Sequence, residues 1–86
     1  MIKTMSTQDI INITTRIFVD EFEVSPEVIA PEANFRESLG LDSLDYVDLV
    51  VMIDEEFGVK LTEADFKSVV SFNDFYNTIE HKLNAQ

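Results

Sequence analysis

The chain contains no cysteine. No disulfide framework and no thiolate metal site is therefore possible, and any thiol chemistry must come from an added group. Glycine and proline are scarce, two of each among 86 residues, which argues for helices joined by few turns. Basic side chains are few: 6 Lys and Arg stand against 17 Asp and Glu, a formal net charge of −11. A field of that sign repels nucleic acid and anionic lipid and speeds encounters with basic proteins. No apolar run approaches the roughly 20 residues of a membrane span, so membrane insertion is not expected. The N-terminal MIKTMSTQDIIN lacks an apolar h-region and a cleavage site. No secretion signal is read there, and the cytoplasm is the expected compartment.

What is present fits a folded domain with one modest core. The chain is 45% hydrophobic and 27% charged, a globular rather than a disordered composition. Its length suits a single domain over 1–86, structured from about 7 to 84. A first helix is expected from about Thr7 to Glu23. Ser6 and Asp9 form a capping-box-like start, and Ile10, Ile13, Ile17, Phe18 and Phe22 recur at helical spacing. Ile11 and Val19 widen that stripe. A long connection follows, from Val24 to Leu41, punctuated by Pro26, Pro31 and Gly40. Val28, Ile29, Phe35 and Leu39 give it apolar anchors. A second helix is expected over Ser43–Phe57, stopped by Gly58. A short third helix follows Thr62, and a last one starts at Ser71 with Asp74 three residues on. The last carries Phe72, Phe75, Tyr76, Ile79 and Leu83 on one stripe, with Lys82 near its negative end. No strand-like alternation of useful length is seen. The expected fold is an all-α bundle of three main helices and one short one.

The second helix has two apolar faces. At about 100° per residue, Tyr46, Leu49, Val50, Ile53 and Phe57 share a roughly 100° arc, the width of a core stripe. Leu44, Val47 and Val51 form a separate arc of about 60° on the far side. Asp48, Asp54 and Glu55 flank that second strip. Single exposed apolar residues are normal. Three in register within an acidic ring resemble a docking surface for an apolar groove bordered by Lys and Arg.

At the start of that helix, LGLDSLDYVD places Ser43 between carboxylates. Asp42 is a good N-cap and Asp45 lies at N3, so Ser43 falls at N1 and is not needed as the cap. A hydroxyl there is a good attachment point for a phosphate, because the free N–H groups and positive dipole end offset the added charge. A nucleophilic role would require a general base. The one histidine, His81, lies far away in the last helix and reads as a surface residue, so no catalytic residue is assigned. Calcium binding fails on spacing: counted from Asp42, an EF-hand loop needs Gly where Val47 stands and Glu where Ile53 stands. No metal site is expected.

Over about residues 7 to 84, the sequence resembles the acyl carrier proteins. The stretch VSPEVIAPEANFRESLGLDSLDYVDLVVMIDEEFGVKLTEADF carries the likeness. Its Asp42-Ser43-Leu44 tripeptide is preceded by Phe35 and Leu39-Gly40, and followed by an acidic helix ending Glu55-Glu56-Phe57-Gly58. The resemblance implies a four-helix bundle with a short third helix. It implies that Ser43, flanked by Asp42 and Leu44, receives 4′-phosphopantetheine from coenzyme A through a separate Mg-dependent phosphopantetheinyl transferase. The arm's thiol would hold acyl groups as thioesters, and the lack of cysteine agrees, since no internal thiol competes. Leu44, Asp45, Val47, Asp48, Val51, Asp54, Glu55 and Glu56 match positions that dock onto acyl-transferring and acyl-modifying enzymes with basic patches. Tyr46, Leu49, Val50, Ile53, Phe57, Phe66, Val69 and Ile79 are the candidate acyl-pocket lining, and each also reads as ordinary core.

The chain departs from the family pattern at three positions. Tyr46 and Phe66 are bulky where fatty-acid carriers often have small residues, and Leu41 replaces a frequent small residue. The carrier would serve enzymes of fatty-acid, specialised lipid or secondary-metabolite biosynthesis, and these departures point to a specialised one whose pocket does not take long chains as common carriers do. Two alternatives remain. One is a D-alanyl or peptidyl carrier, although D-alanyl carriers usually show Phe-Gly where this chain has Leu44-Asp45. The other is an acidic adaptor whose Ser43 is never modified. A monomer is expected.

Overall fold

A computed structural model of the chain describes residues 6–85. Five α-helices run in order: α1 Thr7–Phe22, α2 Phe35–Leu39, α3 Ser43–Phe57, α4 Glu63–Ser68 and α5 Phe72–Asn84. Among the described residues there is no strand, only one isolated antiparallel bridge between Asn34 and Ser71. The start of each expected helix is fixed by a local rule. Ser6, Asp42, Thr62 and Ser71 each cap the helix that follows and receive a reciprocal bond from the Asp at N3. Two orphan N–H groups are satisfied at each start. α3 ends at Gly58, whose φ of +72° is open to glycine at little cost.

The long connection between α1 and α3 is more ordered than its sequence suggests. It holds a 3₁₀ turn over Pro26–Val28 and the one-turn α2, which begins under an Asn34 cap and closes at Gly40 with φ +60°. So the bundle has one more short helix than expected. A five-residue helix has too few positions to show an apolar period, which is why α2 was not legible. The connection is also tied to α5. Phe35 N–H donates to the Val70 carbonyl at 2.8 Å, and the Phe72 and Asn73 N–H groups donate to the Ala33 and Pro31 carbonyls. Val28 does not anchor it: this side chain is exposed on the 3₁₀ turn. Phe35 and Leu39 do, and both are buried.

The core lies where α1, α3 and α5 meet. Ile10, Phe18, Leu49, Ile53, Phe72, Phe75 and Ile79 are completely buried. On α1 the buried set is Ile10, Thr14, Ile17 and Phe18. Thr14 therefore occupies the place expected of Ile13, which is only partly buried. Phe35 is the hub of an aromatic group. Its ring stacks on Phe75 at 4.6 Å and on Phe66 at 6.4 Å, and meets Phe72 edge-on at 5.3 Å. Such pairs add about 0.5–1.5 kcal/mol each beyond area burial. They lock α2 and α4 onto α5 and so hold both sides of the region around Ser43.

Candidate functional site

α3 presents Ser43 as the sequence suggests. Asp42 Oδ1 accepts from the Asp45 N–H at 3.0 Å, and Asp45 Oδ2 accepts from the Asp42 N–H at 3.4 Å. The cap is complete without Ser43. Ser43 is exposed at the first helical position, and its hydroxyl has no hydrogen-bond partner among the described residues. The N–H groups of the first turn that Asp42 does not take point the same way as the positive end of the helix dipole. The site offers a free alcohol at the N-terminal end of the α3 dipole, flanked by the Asp42 and Asp45 carboxylates, with no histidine beside it. His81 is exposed on α5 and lines a separate polar depression with Asp65, Asp74 and Lys82.

The outer face of α3 is the strip anticipated from spacing. Leu44 is 77% exposed, Val47 59% and Val51 52%. Asp48, Glu55 and Glu56 are exposed around it, and Asp54 is half-buried. α3 carries five carboxylates and no cation. The ion pairs among the described residues, Lys67–Glu63 and Lys82–Asp65, both lie elsewhere. Asp45 differs from the other acids on the helix because its carboxylate is turned back into the cap.

Beside Ser43 lies a cleft of about 360 Å³, open to solvent along one side. Tyr46, Val47 and Val50 of α3 form one wall. Leu61, Thr62, Glu63 and Phe66 form the other, and Arg36 reaches in from α2. Of the eight candidate pocket residues, Tyr46, Val50 and Phe66 line this cleft. Leu49, Ile53, Phe57, Val69 and Ile79 belong to the buried core instead. Tyr46 is half-buried, and its ring meets Phe66 edge-on at 5.3 Å. Burial raises the Tyr46 phenol pKa, while the Arg36 charge works the other way. The phenol therefore stays neutral and can donate.

Sequence reasoning missed Leu61 and Arg36. For Leu61 a signal was there. It stands just before the Thr62 cap, with Phe66 at the fourth position of α4. That pairing of apolar N′ and N4 residues is a hydrophobic staple, and both side chains are buried. For Arg36 no sequence signal existed, since the cleft forms only once α2 is placed.

Residues 13–79 match the family described as the phosphopantetheine attachment site. The chain is 35% identical over 81 residues to an acyl carrier protein of Thermosynechococcus vestitus, covering 94% of this chain and 100% of that one. It is 37% identical over 67 residues to an acyl carrier protein of Nitratidesulfovibrio vulgaris, covering 78% and 88%. The crystal structure of an acyl carrier protein from Thermotoga maritima matches over 98% of each chain, with a TM-score of 0.76 at 24% identity. At that identity the last comparison speaks for the fold.

Proposed function

This chain belongs to the acyl carrier protein family, and on that premise we propose that Ser43 bears its covalent 4′-phosphopantetheine. The family's members are carriers and not enzymes. The chain's task is to offer an acceptor, a docking face and a resting place for cargo. When attached, the group supplies a terminal thiol that holds acyl groups as thioesters.

The residues fit the group. Ser43 Oγ is exposed and unpartnered, so a transferase can reach it without breaking a contact. Its place at N1 sets any phosphate on Oγ against the free N–H groups of the first turn. Arg36 adds a cation on the same cleft. Asp45 is held in the cap and away from Oγ. The observation that carries the assignment is that Asp42 caps α3, leaving the Ser43 hydroxyl with no structural task.

Docking falls to the exposed strip of α3, which borders the cleft at Val47. Leu44, Val47 and Val51 would bury into an apolar groove on a phosphopantetheinyl transferase or an acyl-handling enzyme. Asp48, Asp54, Glu55 and Glu56 would meet its basic rim. Rim charges speed encounter, and a small contact keeps release quick, which suits a shuttle. Acyl cargo tethered to Ser43 meets the adjacent cleft at a millimolar effective concentration. Each methylene it covers there contributes about 0.8 kcal/mol. The bulk of Tyr46 and Phe66 favours a specialised lipid or secondary pathway over bulk fatty-acid synthesis. The cytoplasm is the compartment where such enzymes would meet it. No helix among the described residues is long and apolar enough to cross a membrane.

The test is intact mass after incubation with coenzyme A and a broad-specificity phosphopantetheinyl transferase. Gain of one phosphopantetheinyl group per chain, absent in Ser43→Ala, is expected. An unchanged wild-type mass, with a control carrier modified in parallel, would leave the chain an acidic adaptor.

A further inference from the structure

We infer that Arg36 is a phosphate clamp, whose guanidinium takes the phosphodiester that joins the arm to Ser43 and so fixes the root of the arm between α2 and α3. This rests on Ser43 being the attachment point. Arg36 and Ser43 lie on different helices but line one cleft. The guanidinium comes near enough to the Tyr46 phenol for its charge to act on that group. Tyr46 stands three residues after Ser43 on α3. Helical residues three apart are surface neighbours, with Cβ atoms about 5–6 Å apart. A cation that reaches Tyr46 across the cleft is therefore on the Ser43 side of α3.

Arg36 is also the cation that nothing else has claimed. The ion pairs among the described residues join Lys67 to Glu63 and Lys82 to Asp65, and they leave Arg36 out. Lys60 follows the far end of α3 and Arg16 lies on α1, so neither lines the cleft. The backbone of Arg36 is held in place. The Gly40 N–H donates to its carbonyl at 3.0 Å, and the preceding Phe35 is stacked on Phe75. Only the exposed side chain has rotamers left to lose when it binds. A phosphodiester has two non-bridging oxygens that share one negative charge. The planar fork of a guanidinium matches that pair with two parallel N–H···O bonds, which an ammonium cannot do. The need for a cation is local. α3 carries five carboxylates and no positive side chain, so a further negative charge on Ser43 is repelled by its own helix unless α2 supplies the counter-charge.

The experiment compares the full chain before and after modification with coenzyme A and a broad-specificity transferase, in wild type, Arg36→Gln and Arg36→Lys. Loading is confirmed by mass. The phosphorus resonance of the arm, the Arg36 Nε–Hε resonance and the thermal midpoints are then recorded at low salt. In the wild type, modification is expected to move the Arg36 Nε–Hε resonance and to slow exchange of that proton with water severalfold. The phosphorus resonance should shift between wild type and Arg36→Gln, with Arg36→Lys in between. The unmodified variants should melt with the wild type, because Arg36 is exposed. Attachment of the arm should then cost Arg36→Gln about 2 °C more than it costs the wild type. A phosphorus resonance that is the same in wild type and Arg36→Gln would overturn the clamp. If the variants fail to fold, the wild type decides alone: an Arg36 Nε–Hε resonance and exchange rate unchanged by modification would overturn it as well. A chain that takes no arm, with a control carrier modified in parallel, would overturn the assignment of Ser43 and the clamp with it. A loaded chain with an indifferent Arg36 would overturn the clamp and leave Ser43 standing.

Discussion

Two hydroxyl residues, Ser43 and Thr14, show how surroundings decide a role. Thr14 is completely buried, and its Oγ1 donates to the Ile10 carbonyl at 2.8 Å. A hydroxyl satisfied by its own helix can enter a core at small cost. Ser43 is exposed, and the structural work beside it is done by Asp42. Ser43→Ala should therefore leave the unfolding free energy from urea titration within about 0.5 kcal/mol of wild type. Asp42→Ala should lower stability by about 1 kcal/mol, with the slope of the transition unchanged. A clear loss of stability in Ser43→Ala would make that hydroxyl a structural group and remove the argument for a spare acceptor. The position of Ser43 was legible in the sequence because capping depends only on residues three apart. The burial of Thr14 was not, because hydropathy ranks it as polar and its partner is its own backbone.

α3 works against its own stability. Asp54, Glu55 and Glu56 sit in its last turns, at the negative end of the dipole, with no cation on the helix to offset them. A helix chosen for stability alone would carry Lys or Arg there. Glu55→Lys and Glu56→Lys are thus expected to raise stability by about 0.3–1 kcal/mol each at low salt. The same changes should slow modification by a transferase with a basic rim, an effect that fades as salt screens the encounter. Val47→Asp should leave the fold alone, as an exposed position, yet also lower the modification rate. Opposite signs for stability and modification are the mark of a docking face. If the Lys variants were modified as fast as wild type at low salt, the acidic rim would have no part in docking. Both faces of α3 could be read from its 3.6-residue period. The division of the inner face between cleft and core could not. Tyr46 and Val50 line the cleft opposite α4, whereas Leu49 and Ile53 are buried in the core, and that split depends on where the neighbouring helices lie.

For the whole molecule, a net charge of −11 on 86 residues sets two opposing responses. Self-repulsion burdens the compact state at neutral pH, and added salt relieves it. The thermal midpoint at pH 7 should therefore rise by several degrees between low salt and 0.5 M, where the Debye length is about 4 Å. Acid acts through particular carboxylates. For Asp65, burial works to raise the pKa, but the Thr62 N–H and hydroxyl and the Lys82 ion pair at 3.0 Å outweigh it and hold the pKa below the usual range. Asp74 is held low by the Ser71 and Val70 N–H groups it accepts from, each at 3.0 Å. Both groups have a folded pKa below the unfolded value of 3.8. Between those values the unfolded chain binds more protons than the folded one. Their contribution is thus fully present above about pH 5 and is lost as pH falls through 3.8 and the folded values below it. In 0.5 M salt, with long-range repulsion screened, stability should fall steeply below about pH 4. Asp65→Asn and Asp74→Asn should start less stable at pH 7 and lose less on acidification, because the titrating groups are gone. If both variants kept the wild-type acid slope, these two helix starts would not be the acid-labile points.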